Sequence, residues 1–334
     1  MSRSLLWPSP LAGEGQKVGG GPMIRVVAPS RLHFGLFRVP GAGEPEAGAH
    51  AFGGVGLMVD QPGAVVTVRP AGAWQFEGPL ASRAQVFAAR FMLSLPEERR
   101  RPFQVLVERC PAEHTGLGVG TQLGLAVAKA LAVACGERDL PARDLAARVG
   151  RGERSAIGVH GFDRGGLLVD AGKTAGEGVS PLLAHVALPD AWRVVLFAPA
   201  GAGRWHGDDE RRAFATASGG DPDALRHLAE TAIVPAAARG DLDAFGEAVH
   251  EFNRRAGEPF AAAQGGAYAS TEIAGLIADV RKCGVRGVGQ SSWGPTVFAV
   301  VGSVDTALSL VQRFRGRVPA FVARVSAGHA VQEG

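Results

Sequence analysis

From Met23 onward, the apolar positions of the chain follow two different periods. Short stretches alternate apolar and polar residues or form brief apolar runs, which is typical of strands, and longer stretches repeat with the 3.6-residue period of a helix. The predicted strands cover residues 24–28, 65–68, 103–107, 167–170, 192–197, 296–301 and 321–325. The predicted helices cover residues 85–95, 125–134, 141–149, 270–283 and 303–314, with two more between 221 and 252 that Gly240-Asp241 separates. Strands interleaved with helices in both halves predict an α+β or mixed α/β protein.

Changes in this pattern divide the chain into segments. Residues 1–22 lack apolar periodicity and are rich in glycine and proline, so we expect a disordered N-terminal tail. The pattern breaks again near residues 187–191, where Pro189-Asp190 interrupts it. We therefore expect an N-terminal domain over residues 23–188 and a C-terminal domain over residues 189–334.

Composition narrows the classes of function. The 334 residues include 46% hydrophobic and 20% charged residues, which is typical of a globular protein. The net charge of +3 is too small to indicate a nucleic-acid partner, and no apolar run approaches the roughly 20 residues that span a bilayer. The three cysteines lack CxxC spacing, which favours reduced thiols in a cytoplasmic enzyme that acts on small molecules.

The segment from Pro111 to Gly124 is the most informative one. It carries Gly116, Gly118, Gly120 and Gly124 immediately before an apolar, alanine-rich helical run. A glycine turn that leads into a helix offers an anion several backbone N–H groups and the positive end of the helix dipole. Thr121 and Gln122 add a hydroxyl and an amide at the start of the helix. We expect this loop to bind an anion, and the alternative is an ordinary structural turn.

Two further clusters carry polar side chains next to predicted strands. Arg31 and His33 follow the first strand and, by alternation, lie on the same side of it. They suit an anion and a proton transfer, or they form an edge strand with a solvated arginine and a packed histidine. Near the C-terminus, Ser291, Ser292 and Trp293 lie in a glycine-rich loop that is either part of a site or a tight hairpin with a packed tryptophan.

The order of these clusters resembles that of the GHMP kinase superfamily, over about residues 23–330. The resemblance rests on Ala28-Pro29-Ser30-Arg31-Leu32-His33-Phe34-Gly35, on the central glycine loop and on the C-terminal glycine loop. It implies an α+β, two-domain GHMP-kinase-like fold with the active site between the domains. The expected domains are an N-terminal ribosomal-protein-S5-like domain and a C-terminal ferredoxin-like α/β sandwich.

Within the superfamily the chain is similar to the β-ribofuranosylaminobenzene 5′-phosphate synthase family. The similar segments begin at Thr115, Arg154, Gly165 and Gly289. Where the kinases have a serine pair in the loop, this chain has Val119 and Gly120, which argues against phosphoryl transfer from ATP. The resemblance implies a decarboxylating pentosyltransferase of tetrahydromethanopterin biosynthesis. Such an enzyme joins phosphoribosyl pyrophosphate to 4-aminobenzoate, or to 4-hydroxybenzoate, and releases CO₂ and pyrophosphate.

The resemblance also implies roles for individual residues. Catalytic roles are expected for Arg31, His33, His114 and Asp170. Pyrophosphate or phosphate binding is expected of Gly116, Gly118, Gly120, Thr121 and Gln122. Binding of the aromatic acid or the ribose phosphate is expected of Arg164, Ser291, Ser292 and Trp293. Mg²⁺ is expected to come with the pyrophosphate substrate, with Asp163 as a candidate ligand.

Several alternatives stay open at this point. Asp170 is equally suited to capping a turn, and His114 to a solvent-exposed position. The resemblance suggests a homodimer, which no stripe in the sequence indicates. The rival functions are an ATP-dependent small-molecule kinase of the same superfamily and a non-catalytic module that binds a phosphorylated metabolite.

Overall fold

The fold is described from a computed structural model of the chain. The structure describes residues 22–38, 51–174, 176–200, 217 and 220–334. The expected N-terminal tail, except for Pro22, lies outside these residues. Among the described residues, no helix is both long and apolar enough to cross a membrane.

The first sheet has seven strands and is built mainly from the N-terminal half. Its strands are β1 Ile24–Leu36, β2 Gly54–Pro70, β3 Gln75–Glu77, β4 Phe103–Arg109, β5 Leu167–Asp170, β6 Leu182–Val186 and β11 Ala330–Glu333. The order is β11-β1-β2-β4-β3, and β5 pairs with both β2 and β6. Strands β1 and β2 are antiparallel from Ile24 opposite Val68 to Leu36 opposite Gly54. Because β11 pairs with β1, the end of the chain returns to this sheet.

Four helices cover this sheet: α1 Ala81–Leu93, α2 Val119–Ala134, α3 Ala142–Val149 and α4 Ile157–Arg164. Helix α2 packs against β1 and β2 and is buried along most of its length. Its small alanine and glycine side chains let it lie close to the sheet, and its N-terminus points to the site described below. A short 3₁₀ helix at Glu97–Arg99 follows α1.

The second sheet contains β7 Arg193–Phe197, β8 Gly287–Gln290, β9 Val297–Val301 and β10 Ala320–Arg324. It is antiparallel in the order β10-β7-β9-β8. Along β7, Val194 and Leu196 join the main core, whereas Val195 and Phe197 join a second core. Both faces of the sheet are therefore buried at β7, which explains why β7 and its neighbour β9 are nearly continuous apolar runs.

The helices of the C-terminal half are α5 Pro222–Leu228, α6 Val234–Arg239, α7 Leu242–Gly257, α8 Ala261–Gln264, α9 Thr271–Lys282 and α10 Val304–Arg313. A π-helical turn, Ala229–Ile233, joins α5 to α6, and a 3₁₀ helix, Glu258–Phe260, joins α7 to α8. Helices α9 and α10 contribute to the second core, whereas α7 packs on β8 and β1. Helix α7 thus connects the two sheets.

The α+β class expected from the sequence is observed, and each predicted strand and helix corresponds to an element of the structure. The apolar pattern did not predict the first half of β2, nor β3, β6, α4, α8 and β11. The N-terminus of α2, the middle of β1 and the β8–β9 loop meet at one place between the sheets. The candidate site lies there.

Candidate active site

A cleft of about 680 Å³ opens where these elements meet. All three polar clusters of the sequence contribute to its lining, together with the end of α7 and residues 260–268. Of the expected site residues, those that line the cleft are Arg31, His33, His114, Gly116, Gly118, Gly120, Thr121, Ser292 and Trp293. The fold therefore brings together segments that are more than 250 residues apart, from Arg31 to Trp293.

Ser291 joins the three clusters through its hydroxyl. Its Oγ accepts a hydrogen bond of 3.0 Å from the backbone N–H of His33 and donates one of 2.6 Å to the carbonyl of Gly116. The backbone N–H of Ser292 also donates to the carbonyl of His33, at 2.9 Å. Ser291 is fully buried and does not line the cleft. The observed contacts of Ser291 are structural, and its expected contact with substrate stays a prediction.

The glycine loop ends at the N-terminus of α2, as expected of an anion site. Gly118 precedes the helix with a φ of 69°, which favours glycine, and its carbonyl accepts from the N–H groups of Thr121 and Gln122. The N–H groups of Val119 and Gly120, the first two residues of the helix, have no acceptor within it. They stand at the positive end of the helix dipole, which attracts an anion.

Arginine side chains surround this helix N-terminus. A Cβ atom built on Gly118 would lie 3.2 Å from Nε of Arg31, and one built on Gly120 would lie 2.7 Å from Nη2 of Arg83. Nη2 of Arg151 donates to the hydroxyl of Thr121 at 3.3 Å. Burial and the neighbouring Arg83 lower the pKa of Arg151. Like charges gathered at a helix N-terminus inside a cleft are suited to an anion.

His33 belongs to a hydrogen-bonded chain that leads away from the cleft. Oγ of Ser155 donates to Oδ2 of Asp170 at 2.9 Å, and Nε2 of His33 lies 3.1 Å from the same Oγ. Because the single serine hydrogen goes to Asp170, Nε2 of His33 must carry a hydrogen itself. Burial, with Arg31 nearby, holds the pKa of His33 well below its ordinary value of 6.5. His33 is therefore a neutral imidazole at neutral pH.

Asp170 is fully buried and does not line the cleft. Besides Ser155, it accepts from the backbone N–H groups of Ala156, Ile157 and Gly172 and from the hydroxyl of Ser180. Burial raises the pKa of Asp170, and these donors act in the opposite direction. The capping role that the sequence left open is thus the one that this geometry supports.

The other end of the cleft is aromatic. The rings of Phe260 and Trp293 meet edge to face, with their centroids 4.2 Å apart. Phe34 and Tyr268 also line this part of the cleft. Ser292 holds a left-handed φ of 54°, which turns the loop just before Trp293. A flat apolar ring suits these surroundings.

Three further expected site residues lie away from the cleft. Gln122 is buried, and its Nε2 donates to the carbonyl of Gly158. Asp163 accepts from the N–H of Ala142 at the start of α3, and Arg164 is exposed at the end of α4. Since α4 begins near the cleft and rises about 1.5 Å per residue, its last two residues lie roughly 10 Å further along. The fold therefore does not bring these three expected substrate and metal ligands into the cleft.

Sequence reasoning missed several residues of the cleft. Arg83 and Arg151 lie outside the three polar clusters of the sequence, and Ser155 precedes the unpredicted α4. Asn253 is buried on α7, where its amide donates to the carbonyls of Phe34 and Gln290 and so fixes β1 to β8. The sequence offered one indication of Arg151, which directly follows Gly150 at the end of a predicted helix.

The acidic side chains that line the cleft, among the described residues, are those of Glu113 and Glu153. Glu113 forms an ion pair with Arg83. The described part of the chain contains no group of three or more histidine, cysteine, aspartate or glutamate residues that could hold a metal ion.

This chain is 31% identical over 297 residues to a beta-ribofuranosylphenol 5′-phosphate synthase of Archaeoglobus fulgidus, covering 84% of this chain and 88% of the relative. A synthase of the same name from Methanothermobacter thermautotrophicus is 30% identical over 304 residues, covering 81% and 87%. This chain belongs to the beta-ribofuranosylphenol 5′-phosphate synthase family. The family expected from the motifs is thereby confirmed, and with it the enzyme class of a decarboxylating pentosyltransferase.

The fold of this synthase family is that of the GHMP kinases. Residues 233–319 match the family described as GHMP kinases C terminal. A homoserine kinase from Cytophaga hutchinsonii superposes with a TM-score of 0.66 at 13% identity, covering 96% of this chain and 100% of that one. A 4-(cytidine 5′-diphospho)-2C-methyl-D-erythritol kinase superposes with a TM-score of 0.64 at 20% identity, covering 91% and 100%. At these identities the likeness concerns the fold alone, and it confirms the expected GHMP-kinase-like architecture.

Proposed function

We propose that this protein condenses phosphoribosyl pyrophosphate with 4-hydroxybenzoate and releases CO₂ and pyrophosphate. Membership in the synthase family supports the reaction class. The observation that carries the proposal at the site is a single cleft with an arginine-rich end at the N-terminus of α2 and an aromatic end at Phe260 and Trp293. One substrate is a polyanion and the other is a flat aromatic acid, so each end matches one of them.

The relatives are named after their product, and that name indicates which aromatic acid is the substrate. Replacing the carboxylate of 4-hydroxybenzoate by a ribosyl group leaves a phenol, whereas 4-aminobenzoate would leave an aminobenzene. The relatives are named for the phenol. We therefore propose 4-hydroxybenzoate as the substrate, and 4-aminobenzoate becomes the comparison in the test.

The reaction balances without a net proton transfer. The bond between the anomeric carbon and the pyrophosphate oxygen breaks, and its electron pair leaves with pyrophosphate. The ring carbon that carries the carboxylate bonds to the anomeric carbon, and the electrons of the broken bond to CO₂ return to the ring. The main demand on the protein is therefore to stabilise the negative charge on the leaving group. A cleft of arginines and helix N–H groups meets this demand.

The residues that line the cleft take the following roles in this proposal. Gly116, Gly118, Gly120 and Thr121 bind phosphate groups of the sugar substrate together with Arg31. Ser292 and Trp293 bind the aromatic acid. His114, exposed at the mouth of the cleft, is the candidate acid for the leaving group. His33, as a neutral imidazole, positions Ser155 and the β1 backbone and carries no charge.

Mg²⁺ fits this proposal as part of the substrate. It would enter bound to the pyrophosphate group and would neutralise part of the leaving group's charge. Glu113 and Glu153 are the acidic side chains within reach of the described cleft. We further propose that the enzyme works in the cytoplasm as a homodimer, as the family resemblance and the unpaired cysteines suggest.

The test supplies purified protein with phosphoribosyl pyrophosphate, Mg²⁺ and each acid in turn, without ATP. We expect CO₂ and pyrophosphate to form with 4-hydroxybenzoate. No release with either acid, together with ADP formation from ATP and a small alcohol, would show a kinase instead. Binding of substrates without any release would indicate the non-catalytic module.

Alanine substitutions test the assigned roles. Arg31→Ala and Thr121→Ala should each lower kcat/KM, by about tenfold or more for the charged residue, because charge-assisted hydrogen bonds contribute about 1.5–3 kcal/mol. Near-native kcat/KM in both variants would reject these roles. Arg138→Ala, which removes an exposed arginine paired with Glu333 outside the cleft, is the matched control.

A further inference from the structure

We propose that Arg83 and Arg151 together form the binding site of the pyrophosphate leaving group, at the end of the cleft opposite the aromatic side chains. The 5′-phosphate of the sugar substrate then binds elsewhere in the cleft. This inference rests on the proposed function and assigns an orientation to its substrate.

Gly120 shows how close the two guanidinium groups come to the helix. A Cβ atom built on Gly120 would lie 2.7 Å from Nη2 of Arg83 and 3.4 Å from Nη2 of Arg151. Both guanidinium groups therefore end over the first turn of α2, although Arg83 belongs to α1 and Arg151 follows α3. The two guanidinium groups occupy the space in which a Cβ atom at position 120 would lie.

Positive charge exceeds negative charge around this point. Arg83, Arg154 and Arg90 act on Arg151 together with a single carboxylate, that of Glu153. Glu113 pairs with Arg83, and Arg151 donates to the uncharged hydroxyl of Thr121. Nε of Arg151 is buried and has no hydrogen-bond partner among the described residues. The end of the helix dipole adds positive charge at the same place. A group with several anionic oxygens would pair with both guanidinium forks at once.

Stereochemistry decides which phosphate group this is. Phosphoribosyl pyrophosphate carries its pyrophosphate on the α face of the anomeric carbon, and the relatives' product is a β-riboside. The aromatic acid must therefore approach the anomeric carbon from the face opposite the pyrophosphate. The 5′-phosphate, by contrast, lies on the same face of the sugar as the incoming ring.

The two ends of the glycine loop lie next to the two kinds of group that this stereochemistry requires on opposite sides of the sugar. At its start, the N–H of Gly116 lies against Gly294, next to Trp293. At its end, Gly120 lies under Arg83 and Arg151. A sugar along the loop, beside Arg31, would have the aromatic ring on one side and these two arginines on the other. The leaving group then faces the positive end of the cleft.

Inhibitor binding tests the assignment without any turnover. Titration calorimetry with magnesium pyrophosphate and with ribose 5-phosphate measures both affinities in the wild type and in Arg83→Gln, Arg151→Gln and Arg151→Lys. We expect pyrophosphate to bind about tenfold to hundredfold more weakly to both glutamine variants, because each loses charge-assisted hydrogen bonds. Arg151→Lys, which keeps the charge but loses the fork, should fall between wild type and Arg151→Gln. The affinity for ribose 5-phosphate should change by less than about threefold.

Arg90→Gln is the matched control. Arg90 adds positive charge near Arg151 but donates to the carbonyl of Val149 and does not line the cleft. Its pyrophosphate affinity should stay within about threefold of the wild type. Circular dichroism and urea unfolding confirm that each variant is folded. If a glutamine variant does not fold, Arg151→Lys tests the assignment in its place.

Three results would overturn the inference. These are unchanged pyrophosphate binding in both glutamine variants, a loss confined to ribose 5-phosphate, and an equal loss for both ligands. A failure of the proposed function would give a different result. The wild type would bind pyrophosphate through these two arginines but release no CO₂. The binding site would then stand, and the proposed reaction would be rejected.

Discussion

Replacing Ser291 by alanine should weaken both the fold and the site, because this hydroxyl joins all three clusters of the cleft. The change removes the hydrogen bond from the N–H of His33, at 3.0 Å, and the hydrogen bond to the carbonyl of Gly116, at 2.6 Å. The N–H of His33 then stays buried without this partner, and the partly buried carbonyl of Gly116 loses its donor. A buried group left unpaired costs about 1–3 kcal/mol and a partly buried one less, so we expect the free energy of unfolding to fall by about 2–4 kcal/mol.

Urea unfolding measures this loss, and Ser292→Ala is the matched control. Ser292 contributes its backbone N–H to the same network, which alanine retains. Its variant should unfold within about 0.5 kcal/mol of the wild type. The Ser291→Ala enzyme should also lose about tenfold or more in kcat/KM, since the carbonyl of Gly116 is released at the start of the anion loop. A Ser291→Ala protein as stable as Ser292→Ala would refute the claim that this hydroxyl connects the clusters.

Two further predictions concern backbone and titration. Gly116→Ala and Gly136→Ala both place alanine at a left-handed φ, at a cost of about 1–2 kcal/mol, but only at Gly116 would the new Cβ lie 2.2 Å from a backbone carbonyl oxygen. Thermal unfolding should therefore show a larger loss for Gly116→Ala, and equal losses would contradict the packing. Burial lowers the pKa of His33, as it lowers those of His250 and His329, so below pH 6.5 the unfolded chain binds protons that the folded chain does not. The free energy of unfolding should therefore decrease as the pH is lowered below 6.5, by at most about 1.4 kcal/mol per pH unit for each histidine. His33→Gln should make the fall shallower in urea unfolding between pH 7.5 and 5.5, and an unchanged slope would rule out a buried neutral His33.

The predictable parts of the site are those that local sequence determines. The glycine loop before α2 was expected to form a helix N-terminus, because glycine and the following apolar run both act within a few residues. Arg31 follows the first strand and points into the cleft for the same reason, since alternation along a strand fixes its side. The positions of these groups relative to one another needed the family resemblance.

The unpredicted parts depend on contacts between distant segments. The first half of β2 contains Gly54 and Gly56 and reads as a loop, but a Cβ atom on Gly56 would lie 2.5 Å from the carbonyl oxygen of Leu32 on the neighbouring strand. Glycine there permits close strand packing, which no local pattern reveals. Asp163 and Asp170 looked alike in sequence, yet one caps α3 and the other anchors Ser155. Neither lines the cleft, since Asp163 lies near the far end of α4 and Asp170 is buried at the end of β5.

The central claim is that this cleft joins a sugar to an aromatic ring while it releases two products together. The most direct measurement uses 4-hydroxybenzoate labelled with ¹³C in its carboxylate, phosphoribosyl pyrophosphate and Mg²⁺, without ATP. We predict equal amounts of labelled CO₂ and pyrophosphate, and a phenol whose ring is bonded through carbon to the ribose. Pyrophosphate released without labelled CO₂, or no product unless ATP is supplied, would contradict the account.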